Sequence, residues 1–134
     1  MQSYTFSATG HKNITTTHAT TLEFTKDNHV TKSGDCILGI NATFDLKELK
    51  KFLTQKQIHI IIQSENIKET MIAVPNPQFA DERELVIRTT DFKSPRTFAT
   101  HATKAAKDID RELTKKQKNN NNTLTVTLKR ITYK

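Results

Sequence analysis

The chain has 134 residues, of which 34% are hydrophobic and 26% charged. That is enough for one domain, 1–134, with a single lean core, and the composition excludes collagen, coiled-coil and membrane-spanning classes. The formal net charge is +7 and it is uneven: residues 1–103 carry 12 basic and 11 acidic side chains, residues 104–134 carry nine and three.

The one cysteine, Cys36, allows no disulfide within the chain. That favours a reducing, cytoplasmic location. No basic stretch followed by an apolar one stands at the N-terminus, and no apolar run is long enough for a membrane span. We therefore expect no membrane partner.

Threonine occurs 22 times, as suits strands with a solvated face. Residues 2–9 alternate, with Tyr4, Phe6 and Ala8 on one face, which predicts a half-buried strand ended by Gly10. Residues 14–26 read as a long strand in which His18, Thr20, Leu22 and Phe24 share the core side. A further strand is expected over 36–44. Asp45 then caps a short helix, with Glu48 placed for a capping box and Leu46, Leu49, Phe52 and Leu53 as its apolar stripe. Strands follow over 57–64, 67–74 and 84–90, the last extended by 96–101 after the Ser94-Pro95 break. A helix from an N-cap at Thr103 to about Lys118 presents Ala102, Ala105, Ala106, Ile109 and Leu113. After the Asn119–Asn122 loop, residues 123–131 close the chain as a strand.

No helix joins successive strands regularly, which excludes a βαβ parallel sheet. The expected fold is α+β: a mostly antiparallel, curved sheet or small β-barrel of about seven strands with two helices packed against it.

Three groups of residues could carry chemistry. The segment 10–36 concentrates His11, Asn13, His18, Thr20, Thr21, Glu23, Asp35 and Cys36. A histidine can act as acid or base near neutral pH, and a thiol becomes nucleophilic when a neighbour lowers its pKa. His18, Asp35 and Cys36 are thus the candidate catalytic residues. Against this stands the ordinary reading of Cys36 as a small core residue and of His18 as a satisfied core histidine. Zinc binding by His11, His18, Asp35 and Cys36 lacks a ligand-spacing motif, so no metal and no cofactor is expected.

The second group is Arg96 and Thr97 with Lys104, Lys107 and Arg111. A turn, a guanidinium and a helix start suit a phosphate. The competing reading pairs Lys104 with Asp108, and Asp108 with Arg111, along one solvated helix face. The third group, Lys115, Lys116, Lys118, Lys129, Arg130 and Lys134, could track a phosphate backbone without reading sequence. Phe92 and Phe98 are the aromatics near the Ser94-Pro95-Arg96 turn.

Three runs, Gly10–Asn13, His18–Asp27 and Gly34–Ile40, with Arg96-Thr97 and Lys104–Arg111, together resemble the archaeal domain of unknown function 371 family. The resemblance implies an archaeal, cytosolic, single-domain protein and brings no activity. It maps the family's polar signature onto His11, Asn13, His18, Thr20, Thr21, Glu23, Asp35, Cys36, Arg96, Lys104 and Asp108. Where the family is expected to place an Asp, this chain has Thr103, which can cap a helix but supplies no carboxylate.

The leading functional expectation is an RNA- or polyanion-binding module. It would use Lys107, Lys115, Lys116, Lys129 and Arg130, with a phosphate-type corner at His11, Asn13, Glu23, Arg96, Thr97, Lys104 and Arg111. The alternative is a small enzyme or nucleotide- or phosphate-binding protein with a polar pocket around His18, Glu23, Asp35 and Cys36. A third expectation is a component of a larger assembly without chemistry of its own.

Overall fold

The structure, a computed structural model, describes residues 3–131. Eight strands form one sheet: β1 (Ser3–Thr9), β2 (Thr21–Thr25), β3 (Ile37–Gly39), β4 (Ile58–Ser64), β5 (Ile67–Pro75), β6 (Glu84–Arg88), β7 (Thr97–Thr100) and β8 (Thr123–Arg130). Helices α1 (Leu46–Lys50) and α2 (Arg111–Lys116) and a 3₁₀ turn, Ala106–Asp108, complete the described elements. The strand order is β1-β8-β4-β5-β7-β6-β2-β3. The α+β class stands, but the sheet has eight strands and is mixed, because β2 with β3 and β6 with β7 pair in parallel.

The sheet is also not a closed barrel. Its edge strands meet at a single bridge, where Thr9 and Ile40 exchange backbone hydrogen bonds of 2.8 and 2.9 Å. β3 is only three residues long, too short to build a ladder onto β1.

The inner face of the sheet holds the main core. Phe6 meets Phe24 and Phe44 edge-to-face at 5.9 and 5.4 Å, and Leu22, Leu85, Ile87 and Phe98 surround them. A smaller cluster of Ile14, Val30 and Ile40, with Ile37 against it, lies apart. Parity along β3 explains the division, since Leu38 joins the main core and Ile37 the smaller one.

The long strand expected over 14–26 shrinks to Thr21–Thr25. Thr16 adopts φ 53°, the left-handed region that a β-branched residue avoids, which breaks the extended path. The backbone of 14–20 finds other partners: Arg111 Nη1 donates to Thr16 O at 3.0 Å, Lys118 Nζ donates to Ile14 O at 2.7 Å, and Thr16 Oγ1 donates to Ile37 O at 2.8 Å. His18 and Thr20 therefore leave the core side: His18 is half-buried and Thr20 exposed.

The single helix expected over 103–118 is also divided. Ile109 is extended, and Asp110 starts a new helix by accepting from Glu112 N at 2.8 Å. Thr103 caps no helix. It pairs instead with Ile72, its hydroxyl accepting from Ile72 N at 3.1 Å and its N–H donating to Ile72 O at 3.0 Å. Asp45 does cap α1 through Lys47 N, but its own N–H goes to the Tyr4 hydroxyl (2.9 Å) rather than to Glu48, so no capping box forms.

Gly10 has a strict steric reason. A Cβ there would lie 2.4 Å from Gln117 O and 2.3 Å from Asn119 O, where the end of α2 crosses the end of β1.

Candidate functional site

β2 lies between β6 and β3, with Leu22 and Phe24 in the main core. Alternation sends Glu23 to the opposite face, yet its carboxyl is 5% exposed because that face is covered too. Cys36, just before β3, donates its S–H to Glu23 Oε1 at 3.4 Å. Arg96, just before β7, places Nη1 3.6 Å from Glu23 Oε1 and 2.6 Å from Glu84 Oε1. Thr25 Oγ1 donates to Glu84 Oε2 at 3.1 Å.

At the far end of β6, Arg88 Nε donates to the buried Thr97 hydroxyl at 2.9 Å, and its guanidinium sits 4.8 Å from the Phe92 ring centre. Phe92 is 58% exposed, whereas Phe98 is in the core.

Burial pushes the Glu23 carboxyl up to about 7, reinforced by the neighbouring Glu84 carboxylate and opposed by Arg96 and the Cys36 hydrogen bond. Such a group gains and loses a proton at neutral pH, as a general acid or base must. Burial, then Glu23 and Asp35, push the Cys36 thiol up to about 12. That holds Cys36 as a neutral thiol, the reverse of an activated nucleophile.

The expected His18–Asp35–Cys36 arrangement is not assembled. His18 Nδ1 accepts from Thr20 N and Thr21 N, both at 3.1 Å, while the thiol turns to Glu23. Asp35 contributes its carbonyl, which accepts from Thr17 N and His18 N.

His11 and Asn13 lie in a separate loop. His11 meets His29 edge-to-face at 4.9 Å, its Nδ1 accepts from Asn13 N, and Asn13 Nδ2 donates to Val30 O. The Arg111 guanidinium donates to three carbonyls, of Thr16, Ala106 and Ile109, and so acts as a clamp on the backbone.

The Lys104–Asp108 pairing is not formed. Lys104 pairs with buried Glu69, which also accepts from Asp110 N. Asp108 accepts from Ala105 N at 2.9 Å, which holds its carboxyl below the ordinary range, and it faces Lys107 at 3.6 Å. Among the described residues, no three His, Cys, Asp or Glu side chains converge as a metal set.

Lys116 pairs with Glu65 at 3.0 Å, and both line a groove with Glu112 and Lys115. Lys115, Lys129 and Arg130 have no acidic partner among the described residues, and Lys134 lies outside them. Lys129 and Arg130 line a groove of about 470 Å³ with His59, Ile61, Thr70 and Ile131, in which no carboxylate appears.

Glu84, Arg88 and Glu69 escaped the sequence reading. Glu84 and Arg88 did leave a signal: both alternate with the core residues Leu85 and Ile87, placing polar side chains at the two ends of the far face of a central strand. Glu69 left none, since its partners Lys104 and Asp110 are distant in the chain.

None of the described helices is long and apolar enough to cross a membrane. A family model described as a domain of unknown function, DUF371, matches residues 6–131. An uncharacterized protein of Methanocaldococcus jannaschii is 39% identical over 118 residues, which cover 83% of this chain and 87% of that protein. The polar centre of Glu23, Cys36 and Arg96 beside β2 and β6 therefore stands in a chain that belongs to the DUF371 family.

Proposed function

We propose that the protein binds RNA through its phosphates. The observation that carries this reading is the groove of Lys129, Arg130 and His59, which no carboxylate lines. Two cations at adjacent positions can each engage a phosphate, and the missing carboxylate removes the repulsion a polyanion would otherwise meet. Lys104, Lys107 and Lys116 take little part, being occupied by Glu69, Asp108 and Glu65.

The test is fluorescence anisotropy with a mixed-sequence RNA oligomer, titrated with salt. Log K should fall by about 0.7 per phosphate contact for each decade of salt. Lys129→Glu with Arg130→Glu should abolish binding. No binding by the wild-type protein at low salt overturns the reading.

A second reading rests on Glu23: a small-ligand or acid–base site that uses Glu23 and Arg96, with Cys36 as a hydrogen-bond donor. A thermal-shift screen of small anions and nucleotides tests it. A ligand that stabilises the wild-type protein but not Arg96→Ala supports this reading, and no stabilising ligand counts against it.

A further inference from the structure

The register of four strands defines a surface larger than that groove. Along β1, β8, β4 and β5 the outward side chains fall into rows: Ser3, Lys129, His59 and Ile72; then Thr5, Thr127, Ile61 and Thr70; then Ser7, Thr125, Gln63 and Lys68; with Thr9 and Thr123 beyond. All are exposed or half-exposed. The Thr5 and Thr127 hydroxyls meet at 2.8 Å across the strands.

Glu69 is the one acidic residue in these four strands. It turns inward and is held by Lys104 and Asp110 N. Strand propensity explains the threonines. It does not require an exposed face with cations at opposite corners and no carboxylate, since surface charges of both signs are normally interspersed.

We propose that this outward face of β1, β8, β4 and β5 is a platform for single-stranded RNA, laid from the Lys129 corner toward Lys68. The proposal rests on the RNA-binding reading above and assigns its surface. Lys129 and Lys68 take phosphates, and the Ser and Thr hydroxyls, each both donor and acceptor, serve phosphate oxygens and ribose hydroxyls. Lys68 and Lys129 are two strands and four residues apart, roughly 17 Å between Cα atoms at ordinary strand spacing and rise. That suits about four nucleotides, at the small end of known single-strand sites. Among the described residues His59 is the only ring on the face, so base stacking is minor and binding is sequence-tolerant.

The experiment measures anisotropy of a short single-stranded RNA against the wild-type protein, Thr127→Glu, Lys68→Glu, Thr125→Lys and Lys93→Glu, each first checked for an unchanged melting temperature. An RNA duplex serves as competitor. With two phosphate contacts, the expected salt slope is about −1.4. Thr127→Glu and Lys68→Glu should each weaken binding by roughly tenfold, Thr125→Lys should tighten it, and Lys93→Glu, on the exposed loop between β6 and β7 and off the face, should change it less than about twofold.

Should Thr127→Glu not fold, Lys68→Glu and Thr125→Lys still decide. If the wild-type protein binds and the face variants leave affinity unchanged, the platform is overturned while the RNA reading survives. Preference for the duplex overturns the single-strand assignment. Absence of any wild-type binding removes both.

Discussion

The two halves of the sheet solve different problems with the same kind of strand. In the antiparallel half, β1, β8, β4 and β5 alternate strictly: Ile58, Ile60 and Ile62 are buried, while His59, Ile61 and Gln63 are half-buried or exposed. In the mixed half, all five residues of β2 and all four of β7 are buried. The open half keeps its one carboxylate inside and shows cations and hydroxyls to solvent. The covered half holds a carboxylate, Glu23, on its far face under Cys36 and Arg96. A charge under cover acquires a shifted pKa, whereas charges on an open face act through long-range attraction. The acid–base proposal therefore rests on the covered half and the polyanion-binding proposal on the open half.

Four measurements break or sharpen this contrast. The largest effect should come from cavities. Phe24→Ala, in the covered half, should cost about 3–5 kcal/mol in denaturant unfolding, and Ile61→Ala, on the open face, less than about 1 kcal/mol. Equal losses would erase the distinction between the halves.

Next comes pH. The Glu23 carboxyl sits at about 7 when folded, above its unfolded value. The native state then binds the extra proton. Its stabilisation is full below about pH 4.3 and is lost as pH rises through about 7. Wild-type stability should fall by about 2–3 kcal/mol relative to Glu23→Gln between pH 4.5 and 8, as read by urea melts of both proteins. Parallel pH profiles would mean that Glu23 is not held in this way.

Arg111→Ala should cost about 2 kcal/mol, because it strips charged donors from the carbonyls of Thr16, Ala106 and Ile109. Hydrogen exchange should locate the loosening in residues 14–20. Uniform destabilisation would show that Arg111 does not pin that loop.

The smallest change belongs to the open face. Thr5→Ala with Thr127→Ala removes an exposed hydroxyl contact and should shift stability by less than about 1 kcal/mol, as measured by thermal melts. A large loss would make that face structural rather than free for a ligand.

The sequence by itself determined what local period and charge can encode. β1 and β8 read as alternating runs, and β4 and β5 as strands bounded by turn residues; the structure places all four within a residue or so of the expected bounds, because period two and turn chemistry are local signals. The cap at Asp45 was legible as well, whereas Glu23 and Cys36 stood among the candidates in one group and Arg96 in another, and only the fold brings the three together. Tertiary structure decided the rest. Residues 14–20 and 103–110 read as parts of a strand and a helix, yet Arg111, Lys118 and Glu69 satisfy their backbone from far along the chain, and no local period records such partners. The same holds for the chemistry: Cys36 belongs with Glu23 rather than His18 because parallel pairing of β2 and β3 sets the thiol over that carboxyl, and strand pairing is a long-range choice.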